Sequence, residues 1–238
     1  MDHLTPDEFA SLLPVVPSVR RRAAFWIMYG CGLRPGEVYN LTIDCIDLKA
    51  RRLHVVNRAS TAEVPPFTIK AEGDTGDSKE RSVPIPEAAI PDITAACQVS
   101  FKSGGFVVLT PERFATVQTN WRLCREGKPW AGRSEHRSWL NRDMLNNLLR
   151  DTKLYLRKAG MELSAPFKLT TFRKSFGQNH ADAGTPPRTL AKLMGHGNVS
   201  VTMEFYNRVT DANEREAART MDRLLGSQGA DRKVSNAG

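Results

Sequence analysis

At 238 residues the chain can bury a sizeable core, and its length suits one domain or two small ones. A net charge of +8, with basic residues scattered through the folded part instead of gathered in one membrane-facing run, favours an anionic partner, nucleic acid first. The four cysteines are far apart with no CxxC pair, which argues against a zinc site or disulfide framework and for a reduced, cytosolic chain; neither a signal peptide nor an apolar run of membrane-spanning length is present.

Thr5-Pro6-Asp7-Glu8 reads as a helix start: Thr5 caps, Pro6 takes the first helical position and Glu8 reaches back to the cap. That helix stops before Pro14. A second is predicted over about Val19 to Tyr29, broken by Gly30 and Gly32, and Pro35 opens the next. Arg34 therefore stands at a helix entrance, with its side chain expected to point into a groove. From Arg52 the pattern changes to branched, strand-like runs: RLHVV (Arg52–Val56), PFTIK (Pro66–Lys70) and RSVPI (Arg81–Ile85), the last two joined by a Gly/Asp-rich turn. A small antiparallel sheet with a long hairpin is predicted.

Glu87 to Val99 is helix-like again, while Lys102–Ser138 carries no legible motif. Asn141 is placed as the cap of a long helix reaching Gly160. Further helices are predicted over about Phe172–Ala183, Pro186–Met194 (capped by Thr185) and Val201–Val209. A last amphipathic helix spans about Ala212–Leu225, and the polar remainder (226–238) reads as a disordered tail. The fold class is α+β, mostly helical with a small antiparallel sheet.

GCGLRPGEVYNLTIDCID, LTTFRKSFGQNHADAG and LMGHGNVSVTMEFYNRV occur in that order, with the hairpin between the first two. Together they resemble the three boxes of the tyrosine recombinase family, the phage-integrase type, over nearly the whole chain. The resemblance implies one catalytic domain over about residues 1–225, without the family's amino-terminal core-binding domain. It also implies roles. Arg34 and Arg173 would clamp the phosphate, since a pentacovalent phosphorane carries more charge on its non-bridging oxygens than the diester, and forked donors stabilise it preferentially. Tyr206 would attack phosphorus and form a 3′-phosphotyrosine; with an ordinary phenol pKa of about 10 it needs help losing its proton. His196, just past the helix-ending Gly195, would donate to a phosphate oxygen. Phe205 would face the core beside the nucleophile; Glu37, one turn after Arg34, would either orient that guanidinium or stand as a solvated carboxylate.

The leaving 5′-oxygen needs a proton, supplied in the family by a hairpin lysine. Lys70 is the first choice and Lys79 the alternative. The chain departs from the pattern at Thr170, where the family usually has histidine; a threonine hydroxyl can hydrogen-bond a phosphate oxygen but cannot shuttle protons near neutral pH. Losing such a group typically costs a factor of roughly 10²–10⁴. Lys174 and His180 are the nearby substitutes weighed. The resemblance implies double-stranded DNA as partner, a tetrameric synapse exchanging tyrosine-bearing or carboxy-terminal helices, no metal or cofactor, and a cytoplasmic, DNA-associated protein of a prokaryote, phage or mobile element. Two alternatives share the resemblance: a DNA-binding relative with impaired catalysis, which Thr170 favours, and a strand-swivelling topoisomerase.

Overall fold

The spine of the molecule is α2 (Val19–Gly30), apolar on nearly all sides: Ala23, Ala24, Phe25, Ile27, Met28 and Tyr29 are all buried. The structure, a computed structural model, describes residues 3–69, 80–129, 142–161, 167–206 and 218–225. Against α2 pack α4 (Ile90–Gln98) and α7 (Thr170–Asp182). The joint with α7 is aromatic: Phe25 and Phe172, both fully buried, lie 4.9 Å apart between ring centroids, and Phe9 of α1 (Pro6–Leu12) stacks on Tyr29 at 3.8 Å. Each such phenylalanine contributes about 1.5–3 kcal/mol through burial.

The expected capping box of α1 is present, with Thr5 N–H donating to Glu8 Oε2 (2.7 Å) and Glu8 N–H to Thr5 Oγ1 (3.3 Å). Just before it, Leu4 N–H donates to the buried Ser175 hydroxyl on α7, tying the first helix to the segment that carries Arg173.

The sheet differs from the prediction. Its strands are β1 (Ile46–Asp47), β2 (Arg52–Val55) and β3 (Arg81–Pro84), antiparallel in that order, with Leu53 opposite both Ile46 and Val83. The described residues of PFTIK, 66–69, are not a strand of it, and Lys70 lies outside the described residues. Phe67 makes a single antiparallel bridge to Arg58, both hydrogen bonds at 2.9 Å. Pro65 and Pro66 supply no N–H for a ladder. A turn closed by Thr61 N–H to the Val64 carbonyl (2.9 Å) diverts the chain before them, and Trp121 and Arg125 hold that turn by its Thr61 and Ala62 carbonyls.

Those two residues belong to α5 (Pro111–Arg125), capped by Thr110, a helix inside the stretch with no legible motif. α6 (Arg142–Lys158) follows where a long helix was predicted; its proposed cap, Asn141, lies outside the described residues. α8 (Pro187–Met194) ends at Gly195 as expected, but its N-cap is Pro186 and not Thr185, whose hydroxyl is engaged elsewhere. The next helix is one turn only, α9 (Ser200–Met203), and the chain turns from Glu204 to Tyr206; the rest of the predicted span, 207–209, lies outside the described residues. Of the last predicted helix, 218–225 is described and helical, with Met221, Leu224 and Leu225 exposed. No described helix is long and apolar enough to cross a membrane.

Candidate active site

α3 (Pro35–Tyr39) begins with Arg34 as its N-cap, Pro35 in the first position and Glu37 in the third. The Glu37 carboxylate turns back onto Arg34, accepting its backbone N–H at 2.8 Å (Oε2) and its Nη1 at 3.2 Å (Oε1). The Arg34 side chain is thus not simply extended into a groove, as its place at a helix entrance suggested. Glu37 orients it.

The same carboxylate is gripped from β3. Arg81 Nη2 donates to Oε2 at 2.7 Å and Nη1 to Oε1 at 3.1 Å, both side chains only 4% exposed. Burial pushes the Glu37 pKa up, but the hydrogen bonds and charge of Arg81, with those of Arg34, outweigh it and hold the carboxyl below its ordinary range. Arg81 Nε donates in addition to the Leu193 carbonyl at the end of α8 (2.9 Å).

Arg173, in the first turn of α7 and 7% exposed, spreads its guanidinium between two loops: Nη1 donates to the Gly32 carbonyl and Nη2 to the Met194 carbonyl, each at 2.6 Å. One of these carbonyls lies two residues before Arg34, the other two residues before His196. Between Met194 and His196 stands Gly195, at φ +67°, where a Cβ would lie 2.8 Å from Arg81 Nη1. Positive φ and close approach both require glycine there. His196 Nδ1 lies 2.8 Å from the hydroxyl of the fully buried Thr202, which fixes the orientation of the ring.

The structure therefore brings the segments bearing Arg34, Arg173 and His196 together around the 193–196 turn. Beside that turn an open cleft of about 440 Å³ is lined by Arg52, Glu80, Arg81, Ser82, Lys192, Gly195 and His196. Of its charged side chains, Arg52 and Lys192 outnumber the one carboxylate, Glu80, while Arg81 is already paired with Glu37.

Tyr206 is not delivered to this cluster. Its hydroxyl donates to the Thr185 backbone carbonyl, and burial pushes its pKa above the ordinary phenol value. Thr185 and Met194 flank opposite ends of α8, whose eight residues span roughly 12 Å at 1.5 Å per residue. The phenol is parked a helix length from the guanidinium of Arg173. Phe205 beside it faces inward as expected, buried against Gly177 of α7.

Thr170 is the exposed first residue of α7, and Lys174 is exposed one turn on. His180 does not stand in for the missing histidine: its Nδ1 lies 2.9 Å from the Thr185 hydroxyl and its ring packs on Phe176, with burial lowering its pKa. Lys70 and Lys79 lie outside the described residues. The residue that sequence reasoning missed is Arg81. A signal existed, because in β3 it shares the inward face with Val83, an unusual place for a charge.

Comparison with known proteins identifies the family and the fold. The model of the phage integrase family matches residues 2–213. A tyrosine recombinase XerA of Thermococcus kodakarensis is 28% identical over 228 residues, covering 94% of this chain and 64% of that one. A tyrosine recombinase XerC-like protein of Caldanaerobacter subterraneus is 23% identical over 236 residues, with 94% and 55% covered. The chain thus spans less than two thirds of the length of these relatives. Among solved structures, XerA recombinase aligns with a TM-score of 0.60 at 17% identity, over 92% of this chain and 62% of that one. The Tn1549 transposon integrase in complex with circular intermediate DNA aligns at 0.58 and 20%, over 93% and 66%. The structural likenesses establish a shared fold, and the match over residues 2–213 makes this chain a member of the phage integrase family.

Proposed function

We propose that the protein cleaves and rejoins DNA strands as a site-specific recombinase, through a 3′-phosphotyrosine on Tyr206. The observation that carries this reading is the convergence of three segments, far apart in the chain, on the 193–196 turn: Arg173 bonds the carbonyls of Gly32 and Met194, and Arg34 is held next to them by Glu37 and Arg81. Arg34, Arg173 and His196 Nε2 are then donors for the non-bridging oxygens of one phosphodiester, where negative charge grows in the transition state. The Tyr206 oxygen attacks phosphorus, the 5′-oxygen leaves, and a second 5′-hydroxyl later attacks the phosphotyrosine. Bond energy is conserved in the covalent link.

The leaving oxygen takes its proton from a hairpin lysine, Lys70 in the first instance and Lys79 in the second. The Thr170 hydroxyl donates a hydrogen bond to the same phosphate but no proton, so the reaction runs slower than with a histidine there. In this reading the parked phenol is a resting state, and Tyr206 must leave the Thr185 carbonyl before attack. DNA as partner agrees with the net charge of +8 and with relatives solved on DNA, among them XerH bound to difH substrate. The working assembly is a tetrameric synapse in the cytoplasm, with the carboxy-terminal segment 212–225, whose described helical part 218–225 exposes Met221, Leu224 and Leu225, docking on a neighbouring protomer. Carrier origins include prokaryotic chromosomes, phages and mobile elements.

The test is covalent capture. Nicked duplexes drawn from a pool with randomised cores are incubated with the protein, and adducts stable to denaturant are isolated and sequenced. Adducts that disappear in Tyr206→Phe support the enzyme. Duplex binding without any adduct refutes it and leaves a DNA-binding relative that Thr170 has disabled; supercoil relaxation without recombinants would identify a topoisomerase.

A further inference from the structure

Of the three proposed phosphate donors, Arg34 and His196 both rest on supports that Arg81 holds. Its three donor nitrogens are divided. The Nη pair grips Glu37 at 3.1 and 2.7 Å, and Nε bonds the Leu193 carbonyl at 2.9 Å. Glu37 in turn fixes Arg34 by its backbone N–H and its guanidinium. The Leu193 carbonyl opens the turn that carries Gly195, which lies against Arg81 Nη1, and then His196. β3 itself starts two residues after Lys79, so the strand leaving the lysine-bearing segment is fastened at the same point.

We propose that Arg81 is a positioning residue for strand cleavage, setting Arg34 through Glu37 and His196 through the 193–195 turn, so that both donors face one phosphate before DNA arrives. The planar fork is what makes this possible. A guanidinium can hold a carboxylate with two parallel N–H groups while Nε points to a third acceptor at a set angle; a lysine ammonium, though charged, cannot span both directions. Arg81 is also only 9% exposed, and three of its five N–H groups are committed to protein acceptors, so the role assigned to it is support of Glu37 and of the turn and not capture of the phosphate. Its effect passes through geometry alone, where a misplacement of about 1 Å costs roughly 10²-fold in rate.

This inference rests on the transesterification reading, and its test keeps the two separable. Arg81→Lys and Arg81→Met are made in the full chain and compared by thermal melting, duplex affinity, single-turnover adduct formation on a captured nicked duplex, and the imidazole NMR signals of His196. Arg81→Lys is expected to stay folded, bind duplex as the unmutated protein does, lower the adduct rate constant by roughly 10²-fold at saturating DNA, and shift the His196 ring signals. Arg81→Met should do the same, and if it unfolds the lysine variant decides. Unaltered adduct rate in a folded Arg81→Lys overturns the proposal, as do unmoved His196 signals. If the unmutated protein forms no Tyr206 adduct, the cleavage reading fails, while the NMR comparison still decides whether Arg81 sets the position of His196.

Discussion

Glu37→Gln removes one negative charge and leaves the shape nearly unchanged, which makes it a clean probe of the cluster behind the site. The carboxylate accepts from Arg34 N–H, Arg34 Nη1, Arg81 Nη1 and Arg81 Nη2, at distances from 2.7 to 3.2 Å. A glutamine presents one carbonyl oxygen to those donors and turns an NH₂ toward the rest. Arg81, 4% exposed at its side chain, then keeps its charge without a counter-ion. Breaking a buried pair in this way costs about 3–5 kcal/mol, and for a domain of this length each kcal/mol lowers Tm by about 2–4 °C, so the expected fall is about 6–20 °C at neutral pH. The difference also has a defined pH dependence. The folded-state pKa of Glu37 lies below its unfolded value, so the unfolded chain binds the extra proton first, and stability rises with pH through that window. The advantage of the unmutated protein is therefore complete above the unfolded value of about 4.3 and shrinks as pH falls through the lower folded value. Urea titrations of both proteins across this range, with thermal melts at neutral pH, measure it. A Tm loss below about 2 °C, or a gap that persists unchanged in acid, would refute the counter-ion assignment.

Other perturbations address other joints of the structure. Arg173→Lys keeps the charge but cannot reach both the Gly32 and Met194 carbonyls, now 2.6 Å from separate nitrogens; losing one charge-assisted bond should cost about 1.5–3 kcal/mol by urea denaturation, and an unchanged midpoint would contradict it. Gly177→Ala gains about 1 kcal/mol in helix propensity, yet its Cβ would lie 2.6 Å from Phe205 Cζ, and overpacking of about 1–3 kcal/mol should leave a net loss together with slower Tyr206 adduct formation; a stabilised, fully active variant would sink this. Burial pushes the Tyr29 and Tyr39 phenols up to about 12, so phenolate absorbance should show both still protonated at pH 11, with stability lost as pH climbs from the unfolded value of about 10 through the folded one; ionisation of all tyrosines near pH 10 would be inconsistent with their packing. Duplex affinity should fall steeply with salt, the slope counting neutralised phosphates, and a flat response would argue against DNA.

Much of the helical framework was legible because its signals are local. Thr5, Pro6 and Glu8 spell a capping box, Gly195 can take the positive φ that ends α8, and the apolar run of α2 announces a buried helix. The boxes carrying Arg34, Arg173 and His196 were legible as a resemblance, and the fold puts their segments in contact. PFTIK misled because branched residues favour strands wherever a ladder is available, and two prolines with an upstream turn removed the ladder. Thr185 misled in a similar way: its hydroxyl went to His180 and its carbonyl to Tyr206 instead of to a helix cap.

From the chain alone came most of the helices, their order and the kind of chemistry they suit, since caps, breakers and apolar spacing act over a few neighbouring residues. Tertiary structure decided which partner each charge meets. Arg81 finds Leu193 across 112 positions and Arg173 finds Gly32 across 141, contacts that no local pattern encodes. It also decided where the Tyr206 phenol rests. A phenol donates to whichever carbonyl packing leaves within reach, and here that is Thr185, at the far end of α8 from the guanidinium of Arg173.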